Sequence, residues 1–113
     1  MKLLTVADRK TLEQALRGGG SKLVLFYSAY CPFCVSFLPA FEAQAASDPA
    51  RFLKACLDGG EELEDLFSIE VVPTVLCFEG GKLARRLDGR LGRGLSAEDL
   101  SAFSACCPGQ EKR

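Results

Sequence analysis

Two cysteines separated by two residues, Cys31 and Cys34, are the part of this sequence best suited to chemistry. They follow the apolar run 23–27, which is typical of a buried strand, and Pro32 between them suits the first turn of a helix. A thiol attacks a disulfide only as the thiolate, and the unpaired amides at the start of a helix favour that ion. The spacing therefore predicts a redox pair in which Cys31 attacks and Cys34, in the same turn, resolves the mixed disulfide.

A zinc site is the main alternative for such a pair, because the same spacing supplies half of many tetrahedral sites. The chain has no histidine and no second pair of this spacing. The adjacent Cys106 and Cys107 cannot easily present both sulfurs to one ion, although a further redox or metal role for them stays open. The setting between strand and helix favours redox chemistry, and we expect neither a metal nor a cofactor. Cys56 and Cys77 lie in strand-like runs and are expected to be free core thiols.

The elements that must position this pair can be predicted along the chain. Asp8 stands at a helix N-cap, and Ser96 with Asp99 three residues later forms a capping box. Pro39 should kink the helix that follows the cysteine pair. The order β-α-β-α-β-α-β-β-α predicts an α/β fold, a central mixed β-sheet flanked by helices on both faces. Predicted strands cover 2–6, 23–27, 51–57, 74–78 and 82–87, and predicted helices follow Asp8, Cys31, Glu61 and Ser96.

Length and charge exclude several classes of function. The 113 residues suit one domain, and a net charge of -1, from 14 basic and 15 acidic residues, gives no basic surface for nucleic acid or an anionic membrane. The charged run 8–10 interrupts the apolar start before it could form a signal sequence, and no apolar run is long enough to span a bilayer. We therefore expect a cytoplasmic monomer without nucleic-acid or membrane partners. The domain is expected at 1–107, and a flexible tail at 108–113.

The same residues resemble the thioredoxin family over nearly the whole chain. Pro39 matches the proline in the family's active-site helix, and Gly89 matches a glycine at its substrate-facing edge. Three segments match the active-site strand and loop, the cis-proline loop and the last hairpin, namely 26–34, 72–74 and 78–82. The resemblance implies a thioredoxin fold and an enzyme that reduces or exchanges disulfides in protein substrates. Its electron donor would be a thioredoxin-reductase-like protein or another dithiol.

The resemblance also implies roles for single residues around the catalytic cysteines. The Val72–Pro73 bond is expected to be cis, which would leave the Val72 backbone groups free to bind an extended peptide. Lys54 and Tyr27 are expected to tune the redox pair. The residues expected to bind substrate are Tyr30, Pro32, Phe33, Val72, Pro73 and Gly89.

Two departures from the family leave alternatives open. Leu25 stands where the family buries an aspartate beneath the second cysteine, so Lys54, its usual partner, should extend into solvent or lose its proton readily. Pro32-Phe33 is closer to the Pro-Tyr of glutaredoxins than to the Gly-Pro of thioredoxins. A glutaredoxin-like, glutathione-linked reductase is therefore one alternative, and a non-catalytic binding module with the same fold is another. The apolar Phe33 predicts a reduction potential between roughly -270 and -180 mV.

Overall fold

A computed structural model describes residues 4–17, 20–46, 48–58, 61–90 and 94–105. The predicted order of elements is confirmed, with an additional 3-10 turn at Pro49–Arg51 that the sequence analysis did not predict. The strands are β1 Leu4–Val6, β2 Ser21–Tyr27, β3 Phe52–Cys56, β4 Thr74–Glu79 and β5 Lys82–Asp88. The helices are α1 Arg9–Leu16, α2 Pro32–Ala45, α3 Glu62–Phe67 and α4 Ala97–Ala105.

The five strands form one mixed sheet in the order β1-β3-β2-β4-β5. β1 and β2 pair parallel with β3, whereas β4 runs antiparallel to β2, and β5 runs antiparallel to β4. β2 is thus an interior strand, and its residues 23–26 are all fully buried, as their continuous apolar run predicts. Tyr27 and Cys56 face each other at the carboxyl ends of β2 and β3. These two strand ends therefore lie at the same edge of the sheet, where the cysteine pair follows.

Helices cover both faces of the sheet, and alternate residues of β2 enter two separate cores. Val24 and Phe26 belong to the core that contains side chains of α1 and α3. Leu23 and Leu25 belong to the opposite core, which is formed with α2 and α4. The buried helix residues of the first core are Leu12, Leu16 and Leu63, and those of the second are Phe37, Phe41, Ala45, Leu100 and Phe103. The apolar side of α2 thus fixes the helix that begins at the cysteine pair.

The predicted helix caps are confirmed in detail. The Asp8 carboxylate accepts a hydrogen bond from the Thr11 backbone N–H at 2.9 Å and caps α1. At the start of α4, the Ser96 hydroxyl accepts from the Asp99 N–H, and the Asp99 carboxylate accepts from the Ser96 N–H, both at 3.1 Å. This reciprocal pair is a capping box, and it satisfies amides that the helix itself leaves without partners.

The expectation that Cys56 and Cys77 are free core thiols needs correction. Cys56 is free but only half-buried, because the end of β3 reaches the edge of the sheet, where its thiol donates to the Asp58 carboxylate at 3.5 Å. Cys77 is fully buried on β4, as predicted, but it is disulfide-bonded. Cys31, Cys34 and Cys56 are all free.

Several predicted features fall outside the described part of the chain. They are the first two residues of the predicted strand 2–6, the pair Cys106 and Cys107, and the tail at 108–113. Every helix among the described residues is too short or too polar to cross a membrane.

Candidate active site

The cysteine pair occupies the start of α2, where the sequence predicts it. Cys31 is the N-cap residue, with an extended backbone at φ -94° and ψ 119°, and Pro32 takes the first helical position. The Cys31 carbonyl accepts the Val35 N–H at 3.0 Å and begins the helical bonding. The missing N–H of Pro32 has no cost here, because the first amides of a helix have no helical partner. The helix then continues through Pro39 to Ala45.

The two motif sulfurs lie in contrasting surroundings. Cys31 is half-buried, whereas the exposed fraction of Cys34 is 0%. Burial, the largest cause, together with a hydrogen bond to Cys31, raises the pKa of Cys34 to about 12. The Ser28 backbone N–H donates to the Cys34 sulfur at 3.5 Å and acts in the opposite direction. Cys34 is therefore a protonated thiol at neutral pH, within hydrogen-bonding reach of Cys31.

The proline loop before β4 lies against the first cysteine. The Val72–Pro73 peptide bond is cis, as the resemblance implies. The Val72 carbonyl accepts a weak hydrogen bond from the Cys31 thiol at 3.8 Å. Gly89 lies behind Pro73, and a Cβ at this glycine would be 2.2 Å from the Pro73 carbonyl oxygen. Only glycine fits there without displacing the loop, so Gly89 supports the position of the loop beside Cys31.

Apolar and aromatic side chains border the motif on its open side. Tyr30 is 86% exposed and Phe33 is 40% exposed, and Pro32 between them is also exposed. Gly94 approaches Phe33 closely, since a Cβ at that glycine would lie 2.9 Å from the Phe33 Cβ. Large exposed aromatic groups of this kind are common where one protein contacts another.

The two predicted tuning residues lie together, but the expectation that the Lys54 ammonium group extends freely into solvent is wrong. Its ammonium group neither extends freely into solvent nor lacks a partner, because it pairs with the Glu42 carboxylate of α2 at 3.1 Å, with 17% of the lysine side chain exposed. It also lies 6.0 Å from the centre of the Tyr27 ring. Burial, followed by the nearby Cys56, raises the pKa of Tyr27. Leu25, opposite Lys54 on β2, is fully buried and offers it no partner.

A cluster of hydrogen bonds around Asp58 was missed by the sequence analysis. One carboxylate oxygen accepts from the Ser28 hydroxyl at 2.6 Å, and the other accepts from the Ala29 N–H at 2.9 Å. These donors, the Ser28 hydroxyl first, lower the pKa of Asp58. A signal was available, because Asp58 follows the carboxyl end of β3, which was predicted as a neighbouring strand. The carboxyl ends of parallel strands meet at one edge of a sheet, and the motif follows β2 at that edge.

The zinc alternative gains no additional ligands in the described part of the chain. No three histidine, cysteine, aspartate or glutamate side chains there are grouped so that they could hold a metal ion.

Known proteins are similar to this chain over most of its length. The thioredoxin family model matches residues 4–102. A thioredoxin from Alicyclobacillus acidocaldarius is 32% identical over 88 residues, 76% of this chain and 83% of that protein. A thioredoxin from Mycoplasmoides gallisepticum is 32% identical over 89 residues, 77% of this chain and 85% of that protein. The crystal structure of a Schistosoma mansoni thioredoxin pre-protein has the same fold, with a TM-score of 0.81 at 20% identity, and the match covers 95% of this chain and 99% of that one.

The sequence match, the fold and the two neighbouring cysteines all lead to the same assignment. This chain belongs to the thioredoxin family and is a thiol-disulfide oxidoreductase.

Proposed function

We propose that this protein reduces or exchanges disulfides in other proteins, with Cys31 as the attacking thiolate and Cys34 as the resolving thiol. The observation that carries the proposal is the contrast between the two sulfurs. Cys31 is half-buried at a helix N-cap, whereas Cys34 is fully buried and its pKa is raised to about 12. A shielded, protonated thiol is a poor first nucleophile, so the initial attack falls to Cys31.

The proposed reaction has two steps. The Cys31 thiolate attacks one sulfur of the substrate disulfide, that S–S bond breaks, and the other substrate sulfur leaves as a thiolate. Cys34 then gives its proton to solvent and attacks the Cys31 sulfur of the mixed disulfide. The Cys31–Cys34 bond forms and the substrate's second sulfur leaves, so two electrons have passed from the pair to the substrate.

The substrate would bind as an extended segment beside the proline loop. The Val72 carbonyl faces Cys31 and is a backbone acceptor that such a segment could use. Tyr30 and Phe33 offer exposed apolar surface on the open side of the motif, as does Pro32. Substrate binding would thus depend on backbone pairing and apolar contact around the disulfide, with few side-chain requirements.

The oxidised pair must be reduced again by an electron donor before the next turnover. We propose a thioredoxin-reductase-like protein as that donor. Support comes from a Mycobacterium leprae relative, 27% identical over 100 residues that make up 22% of it, which is a bifunctional thioredoxin reductase/thioredoxin. We place the reaction in the cytoplasm, where reductants keep such thiols available.

Insulin reduction tests this proposal. The unsubstituted protein should reduce insulin disulfides catalytically when a thioredoxin reductase and its nicotinamide cofactor are supplied. Cys31→Ser and Cys34→Ser should both lose turnover, and Cys56→Ser, which removes another free thiol, should keep it. An inert unsubstituted protein would overturn the proposal. Recycling by glutathione and its reductase alone would establish the glutaredoxin-like alternative in its place.

A further inference from the structure

We propose that Asp58 is a positioning residue of the redox site, which binds Ser28 so that the Ser28 amide stays on the Cys34 sulfur during resolution. The inference rests on the proposed two-step reaction and adds a residue to its second step.

Ser28 is bonded through each of its polar groups. Its N–H donates to the Cys34 sulfur at 3.5 Å, and its carbonyl accepts the Cys31 N–H at 3.2 Å. Its hydroxyl donates to Asp58 at 2.6 Å and accepts the Tyr30 N–H at 3.2 Å. The residue thus connects the backbone of the first motif cysteine with the sulfur of the second.

Asp58 fixes this residue from the neighbouring strand. The Leu57 N–H donates to the Tyr27 carbonyl at 2.9 Å, so the chain just before Asp58 is tied to the end of β2. The carboxylate then accepts from two successive residues, the Ser28 hydroxyl and the Ala29 N–H, and also from the Cys56 thiol. The carboxylate thus holds the Ser28 hydroxyl and the 28–29 peptide. The Ser28 N–H belongs to the preceding 27–28 peptide, whose Tyr27 carbonyl accepts the Leu57 N–H, so this amide is held on both sides. Donors on the carboxylate also keep it ionised at neutral pH, since they lower the pKa of Asp58.

The amide on the sulfur matters in the second step, when Cys34 must become a thiolate. Burial opposes that ionisation, and a donor directed at the sulfur favours it. The other titratable groups that act on Cys34 are Cys31 and Asp58, and the charge of Asp58 works against the thiolate. Asp58 therefore has two effects of opposite sign, a positioned donor and a repelling charge. Neutralising it distinguishes them, because loss of the donor slows resolution and loss of the charge accelerates it.

The test uses an aromatic disulfide whose released thiolate is coloured, mixed at one equivalent with the reduced protein. The first coloured thiolate reports attack by Cys31, and the second reports resolution by Cys34. Asp58→Asn removes the charge and one acceptor, whereas Ser28→Ala removes only the hydroxyl and keeps the charge. Asp48→Asn is the matched control, an exposed acid that precedes β3 at its opposite end.

We expect the second step, relative to the first, to slow about three- to tenfold in Ser28→Ala, since one aligned hydrogen bond contributes on that scale. Asp58→Asn should also slow it, but by less, because loss of the repelling charge offsets part of the effect. The pH profile of the second step should move to higher pH in both variants, and Asp48→Asn should leave it in place. Faster resolution in Asp58→Asn, or an unchanged second step in Ser28→Ala, would overturn the inference. If Asp58→Asn does not fold, Ser28→Ala decides alone. Failure of the proposed function looks different, because the unsubstituted protein would then lack the first step.

Discussion

Raising the pH should accelerate the resolution step well beyond the range in which an ordinary cysteine has finished ionising. Cys34 has a pKa of about 12, against an ordinary value of 9.0, and burial is the largest cause. In the mixed disulfide the Cys31 sulfur is already bonded, so its hydrogen bond to Cys34 is lost, but the burial of Cys34 is retained. The direction of the shift therefore holds at the moment when Cys34 must attack.

The size of the effect follows from the shift. In the free dithiol, three pKa units correspond to about 4 kcal/mol, or about a thousandfold less thiolate below pH 9 than an ordinary thiol would supply. This is the upper bound for the mixed disulfide, where only the contribution of burial is retained. Between pH 9 and pH 11 the thiolate fraction of a group with a pKa near 12 rises about a hundredfold. An ordinary thiol gains only about twofold over the same interval. The rate of the second step should therefore continue to rise well above pH 9, unlike that of an ordinary thiol.

Double-mixing stopped-flow measures that rate. The reduced protein and the coloured aromatic disulfide react at pH 7 until the first thiolate has been released, and a second mixing step then changes the pH. Cys34→Ser should lack the second release, and Cys31→Ser gives the background from the other thiols. A rate that levels off at or below about pH 9 would refute the reasoning, because Cys34 would then ionise like an unburied cysteine.

Three further predictions concern residues that support the site. Gly89→Ala should reduce insulin turnover more than tenfold, because its Cβ would lie 2.2 Å from the Pro73 carbonyl oxygen, and unchanged turnover would contradict that contact. Leu25→Asp places a carboxylate at a fully buried position, so it should lower the free energy of unfolding at pH 7 by about 3–5 kcal/mol in urea titrations. A loss under about 1 kcal/mol would show that the position accommodates charge. Ser96→Ala should lower the free energy of unfolding by about 1 kcal/mol, because the Asp99 N–H loses its acceptor. Unchanged stability would mean that another group caps the helix.

Features that depend on neighbours in the sequence could be predicted. The run 23–26 has no polar interruption, which indicates a strand covered on both faces, and the structure places it inside the sheet. Cys31 and Pro32 suit an N-cap and a first helical position, and they occupy those positions. Ser96 and Asp99 have capping-box spacing and form the box. Each of these signals acts within one turn or one strand, so the sequence contains the whole interaction.

Features that depend on the relative placement of remote elements could not be predicted. The pairing of Lys54 with Glu42 requires the rotation of α2 over β3, which the helical pattern leaves undetermined. The predicted strand order could place Asp58 at the edge where the motif lies, but its bond to Ser28, 30 positions away, also depends on the register of β2 against β3. The disulfide of Cys77 has the same origin, because an apolar run reveals burial and does not reveal which sulfur lies nearby. Long-range geometry therefore accounts for each of these errors.

The central claim is that Cys31 makes the first attack and Cys34 completes it, and trapping the intermediate tests this most directly. Cys34→Ser protein is incubated with a disulfide-bonded protein substrate, the adduct is digested without reductant, and mass spectrometry locates the mixed disulfide. The account predicts a single substrate adduct on Cys31, which added dithiol releases. An adduct on any other cysteine, or no adduct while the substrate is still reduced, would contradict it.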